Sequence, residues 1–122
     1  MKDFRDLEVW KEARDFRNKI ISVTKKFSAD EKYKLTDQII RSSRSVNANI
    51  AEGHGRFHYQ ENIQFCRQAR GSLSETLDHL IVALDCEYIS EKQFKEFEEQ
   101  YNLILKILNG YISYLQKRKS EE

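Results

Sequence analysis

The residues of this 122-residue chain that could do chemistry are three histidines, two cysteines and an uneven scatter of arginines and glutamates. A metal shared by two helical side chains needs them three or four positions apart, on one face. Glu75 and His79 are four apart, His54 and His58 are four apart, and His58 with Glu61 are three apart in reversed order. Metal-binding bundles use Glu-x-x-His twice, and Gly55 interrupts the His54–His58 pair. No metal ligand set is therefore expected, and His79 reads as a half-buried polar residue beside Glu75. Gly53-His54-Gly55 lacks a following Lys-Ser/Thr, so it is no phosphate loop. Cys66 and Cys86 fall in helical pattern and read as a pair of small buried hydrophobes. The expectation is a protein without catalytic residues or cofactor.

Nucleic-acid binding is the more serious chemistry. Arg41, Arg44, Arg56, Arg67 and Arg70 stand against only Glu52 and Glu61 in that stretch, and Phe57, His58 and Tyr59 are interleaved. Such a set can touch phosphates and stack on bases. Equally, each arginine can pair with a carboxylate such as Glu52, Glu61 or Glu75 and hold helices in register. The formal net charge of +1 makes the whole molecule no general polyanion binder. The acidic stretch from Asp85 to Glu99 balances the basic centre.

These residues must be positioned by helices. The chain has no proline and four glycines, and strands and loops normally recruit more turn residues than that. Helix one is expected from about Asp6 to Lys26, on a seam of Val9, Ala13, Phe16, Ile20, Val23 and Phe27. Ser28 to Glu31 has capping-box spacing and marks the start of helix two, which runs to about Gly53. Its inner stripe is Ile39, Ser43, Val46, Ile50 and Gly53. A second, polar stripe is Gln38, Arg41, Ser45, Asn49 and Glu52. Helix three is expected from about Tyr59 to Cys86 on Cys66, Ala69, Leu73, Leu77, Leu80 and Leu84. The interior Gly71 implies close packing there, as Gly53 does in helix two. Ser90 to Gln93 opens helix four, from about Glu91 to Gln116, and residues 116–122 read as a frayed tail. Length fits a single domain over residues 1–122. Short connections favour an antiparallel up-and-down bundle, all-α in class. No long apolar run or leader is visible, so the cytoplasm is the default compartment.

Apolar residues exceed what four seams need. Leu7 and Trp10 on helix one, and Leu103, Leu105, Ile107, Ile112 and Tyr114 on helix four, lie beyond them. Surplus apolar surface marks self-association. Leu7, Trp10, Leu105 and Ile112 are the expected interface, with further copies of the same chain as partners.

Phe4-Arg5-Asp6-Leu7-Glu8-Val9-Trp10, Glu31-Lys32-Tyr33-Lys34-Leu35, Ser45-Val46-Asn47-Ala48-Asn49-Ile50-Ala51-Glu52-Gly53 and Gly71-Ser72-Leu73-Ser74-Glu75 resemble the bacterial four helix bundle proteins encoded in intervening sequences of large-subunit ribosomal RNA genes. The resemblance covers nearly the whole chain. It implies a left-handed bundle that closes into a five-fold ring, a homopentamer. It is similar in turn to the accessory variability determinant of diversity-generating retroelements, which works with RNA and a reverse transcriptase. RNA or an RNA-associated protein is thereby implied as partner, with no membrane and no small-molecule substrate. A structural or protein-scaffolding ring without nucleic acid is the alternative. Gln38, Arg41, Asn49, Glu52 and Glu75 are expected to form a polar network tying helix two to helix three or to a neighbouring subunit. The family commonly has proline where Asn47 stands here, so helix two should run straight.

Overall fold

The computed structural model describes all 122 residues. Its helices are α1 (Glu8–Thr24), α2 (Leu35–Gly55), α3 (Tyr59–Asp85) and α4 (Glu91–Ser120), with single 3-10 turns at Phe4–Asp6 and Ala29–Glu31. Each helix packs on its chain neighbours, and α1 closes the ring of contacts against α4. The result is an all-α four-helix bundle. Antiparallel register between α2 and α3 is visible in the pairs that meet, Ser42 with Thr76 and Ser45 with Ser72. As one residue number rises, the other falls.

The seams explain why these segments are helical. Val9, Ala13, Phe16, Ile20 and Val23 of α1 are buried, as are Ile39, Ser43, Val46, Ile50 and Gly53 of α2. Both sets step by three and four, so each helix forms by sinking one stripe into the common core. Ser90 opens α4 as its spacing predicts. Its Oγ accepts from the Gln93 amide at 3.1 Å, and Gln93 Oε1 accepts from the Ser90 amide at 2.8 Å.

The beginning of α2 differs from expectation. Ser28 caps only a short turn, accepting from the Asp30 amide at 3.3 Å, and the α-helix begins at Leu35. The carboxylate meant for the capping box is engaged elsewhere: the Tyr88 hydroxyl donates to Glu31 Oε2 at 3.1 Å. Tyr88 also stacks on Phe27, with ring centroids 5.2 Å apart. The α1–α2 connection is thus pinned to the α3–α4 turn. That turn is a Schellman motif in which Glu87, at φ 61°, occupies the left-handed position usually taken by glycine.

The inner face of α3 is also rotated from the expected seam. Thr76 and Ala83 are fully buried, while Leu77 and Leu84 are only half-buried. The cause is the close approach of α2, which leaves room for small side chains along that flank. Nor does α4 fray at 116: it continues to Ser120, where the Lys119 ammonium donates to Gln60 and Arg118 Nε to the Tyr59 hydroxyl. Cys86 departs from the buried pair as well, since it sits exposed at the end of α3 while Cys66 is buried.

The two expected close-packing glycines behave oppositely. A Cβ on Gly53 would lie 2.8 Å from both Asn62 Oδ1 and Phe65 Cβ, whereas one on Gly71 would meet nothing within 4 Å. Gly71 faces outward because two residues, about 200°, separate it from the buried Ala69 and Leu73. Gly53→Ala should therefore lower unfolding free energy by about 1–3 kcal/mol through overpacking. Gly71→Ala should raise it by about 0.5–1 kcal/mol through helix propensity. Urea unfolding of the two variants checks both signs.

Candidate functional site

The α2–α3 contact is built from small polar residues. Ser42 Oγ and Thr76 Oγ1 lie 2.8 Å apart in the buried interior, and Thr76 also donates to its own helix at Ser72 O, 2.8 Å. One turn along, the Ser72 hydroxyl donates to Ser45 Oγ at 2.9 Å. Separately, Asn62 joins α3 to α4, donating to the Tyr111 hydroxyl at 3.1 Å. Asn47 reaches α1, where its Nδ2 donates to Trp10 O at 3.0 Å. Its Oδ1 is the one buried side-chain oxygen without a partner.

Within the subunit, the residues of the expected polar network bond along their own helices rather than between α2 and α3. Arg41 pairs with Asp37 at 3.7 Å, Asn49 donates to Ser45, Glu52 pairs with Arg56 at 2.9 Å, and Glu75 meets His79 at 3.1 Å. Every one of these links lies four residues along a single helix. Gln38 is exposed and makes no such bond. The side chains that do cross between helices are shorter: Ser42, Ser45, Ser72 and Thr76. Hydroxyls three or four apart on both helices were the readable signal.

The candidate nucleic-acid residues separate into two kinds. Arg56 is neutralised by Glu52 and, at 3.9 Å, by Glu61, and its guanidinium lies 5.2 Å from the Phe65 ring centre. Arg41 is held by Asp37, and Arg70 donates to Asn109 Oδ1 at 2.8 Å, tying α3 to α4. Arg44 and Arg67 have no carboxylate within ion-pair distance. The five do not share one patch, because Arg44 lies toward α1 and Arg70 toward α4. Two arginines outside the expected set, Arg14 and Arg17, stand near Arg44. Arg17 is half-buried, and burial together with the charges of Arg14 and Arg44 holds its guanidinium below the ordinary arginine value. The signal was present in the sequence: Trp10, Arg14, Arg17 and Ile21 step by four, three and four along one flank of α1.

The histidines do not converge. His54 lies in the last turn of α2 and His58 immediately before α3, with the chain reversal at Phe57 between them. Nowhere do three or more histidine, cysteine or acidic side chains gather. Burial pushes the Cys66 thiol up to about 12, which keeps it protonated and unreactive at neutral pH.

Expected interface residues are redistributed. Leu7 and Ile112 are buried in the subunit's own core, and their surface is spent there. Leu105 is half-buried against that core, and Trp10 packs edge-on against Phe4 at 5.2 Å. Surplus apolar surface lies instead on Leu103, 44% exposed, Tyr114, 55% exposed, and the half-buried Ile107. With Gly110 these form one outward stripe on α4, stepping four, three and four. No helix is long and apolar enough to cross a membrane.

The family model of the 23S rRNA-intervening sequence protein matches residues 5–110. Among solved structures, the chain is similar to a protein of unknown function from the S23 ribosomal protein family of Bacteroides thetaiotaomicron. The two are 26% identical, with a TM-score of 0.78, over 85% of this chain and 97% of that one. No curated protein matches.

Thr76→Val keeps the shape of the α2–α3 contact and removes its central hydroxyl. It should cost about 1–2 kcal/mol, the loss of a buried hydrogen bond with Ser42 left partly satisfied. Thr76→Ser should recover part of that loss in denaturant unfolding.

Proposed function

The chain belongs to the 23S rRNA-intervening sequence protein family, and from that premise we propose that it is a non-enzymatic, cytoplasmic protein that assembles with copies of itself and binds RNA. The observation that carries this reading is where the uncommitted side chains lie. Inside the bundle, the buried hydroxyls and amides are engaged with one another or with backbone carbonyls, the Asn47 oxygen excepted. Outside, an apolar stripe on α4 and a group of arginines without carboxylate partners remain available.

The stripe of Leu103, Ile107, Gly110 and Tyr114 supports assembly. A Cβ on Gly110 would meet nothing within 4 Å, so a neighbouring helix can approach α4 closely there. Copies related head to tail close into a ring, five-fold as the family resemblance implies. A ring repeats each basic group around its axis, which multiplies a weak contact into a useful one. The RNA part of the reading is supported by the arginines; the net charge of +1 makes such binding local to them. The same near-neutral charge favours a second reading, a protein scaffold without nucleic acid. Partners that survive nuclease treatment in a pull-down would support the scaffold.

Leu103→Asp combined with Tyr114→Asp should convert the assembly to monomers by light scattering. Helicity and unfolding free energy of the subunit should change by no more than about 0.5 kcal/mol, as for exposed positions. A wild-type protein already monomeric at micromolar concentration would refute the assembly. Affinity for RNA should fall as salt is raised, with a linear log–log dependence; binding that ignores salt, or no binding, would remove the RNA part.

A further inference from the structure

The bond from Asn47 to Trp10 O sets the register between α1 and α2. Because the two helices run antiparallel, one turn up α1 from Trp10 is one turn down α2 from Asn47. Arg14 is therefore level with Arg44, and Arg17 lies one turn beyond. The half-buried state of Arg17 and the felt charges of Arg14 and Arg44 agree with this placement. None of the three has a carboxylate within ion-pair distance. Asp15 of α1 is turned elsewhere, pairing with Lys19 and accepting from Gln100 on the α4 side. Arg17 donates to Asn18 Oδ1 at 3.2 and 3.3 Å, a neutral partner that leaves the positive charge of the group uncancelled.

Beside them are flat apolar surfaces. Arg14 lies 5.7 Å from the Trp10 ring centre, and Phe4 meets the other part of the indole. The next turns of α2 carry only small groups: Ala48, Ala51 and Gly55 line a shallow cavity of about 310 Å³ with Phe4. Glu52 and Arg56, at its rim, neutralise each other. The face thus offers phosphate-matched guanidinium forks at one end and aromatic edges over an open floor at the other. A nucleic-acid strand supplies both complements, phosphate and flat base, whereas an acidic peptide supplies only charge.

We propose that the α1–α2 face is the RNA-contact surface, with the phosphates of a single-stranded segment on Arg14, Arg17 and Arg44 and a base against the Phe4–Trp10 pair. This rests on the RNA reading above and replaces the junction arginines Arg56, Arg67 and Arg70 as the contact.

The chain has a single tryptophan, and it stands at this surface. The test is titration of the full chain with a 12-nucleotide single-stranded RNA of mixed sequence, read by Trp10 emission and by anisotropy of a labelled strand. Binding should change Trp10 emission. Removing three phosphate contacts with Arg14→Ala, Arg17→Ala and Arg44→Ala together should weaken affinity at least about tenfold and reduce the log–log salt slope by about 2, at roughly 0.7 per phosphate. Arg67→Ala and Arg70→Ala together, away from this face, should leave both unchanged. The first variant relieves repulsion, so its circular dichroism should match wild type; Arg17→Lys, which keeps the charge, gives an intermediate affinity if the guanidinium fork matters. If wild type binds with salt dependence but the first variant is unaffected, or Trp10 emission stays constant, this face is wrong and the RNA reading stands. If wild type does not bind, both fall. Tighter binding of a polyglutamate peptide than of RNA, or dissolution of the assembly by the first variant, would also overturn the assignment.

Discussion

Everything in this bundle is arranged around how near α2 comes to α3. Gly53 has no side chain because there is no space for one: Asn62 Oδ1 and Phe65 Cβ stand 2.8 Å from where a Cβ would be. At that separation, leucine-sized groups do not fit between the axes, and polar groups enclosed there must find partners. Serine and threonine meet both demands. They are small, and their hydroxyls bond across the gap and back to their own helix. The α3 seam is rotated toward Thr76 and Ala83 for the same reason.

The fold was legible because burial of one stripe per helix is a strong constraint, written at intervals of three and four. Ile39, Ser43, Val46, Ile50 and Gly53 could be placed from spacing alone, and so could the capping pair Ser90 and Gln93. Legibility failed where a residue had two possible partners. Glu31 had the spacing to cap Ser28 but bonds Tyr88 from a distant turn. Gly71 looked like Gly53, yet a glycine does not say whether it is small for packing or simply tolerated on a surface. Long polar side chains misled in the same way. Arg41, Glu52 and Glu75 look like links between helices, but their reach lets them close on their own helix four residues away, at lower entropic cost.

The surface was less readable than the core because charge acts through neighbours that sequence spacing does not reveal. Arg56 stands out in the sequence and is neutralised twice over. Arg14 and Arg17 look ordinary within α1 and become unusual only when the antiparallel register brings Arg44 beside them. The apolar surplus was readable in amount but not in place. Helix α4 could be seen to carry too much, yet whether Ile112 or Leu103 faced outward depended on a rotation set by the rest of the core.

The lone amide at Asn47 shows how the first helix is held. α1 is the shortest of the four helices, and it is fastened to α2 by a single side-chain bond whose other half, the Asn47 oxygen, is stranded in the interior without a donor. The helix's hold on the bundle comes instead from the burial of Val9, Ala13, Phe16, Ile20 and Val23. An apolar hold of this kind fixes no register by itself, so the buried stripe supplies the strength of the attachment and the Asn47 amide its direction.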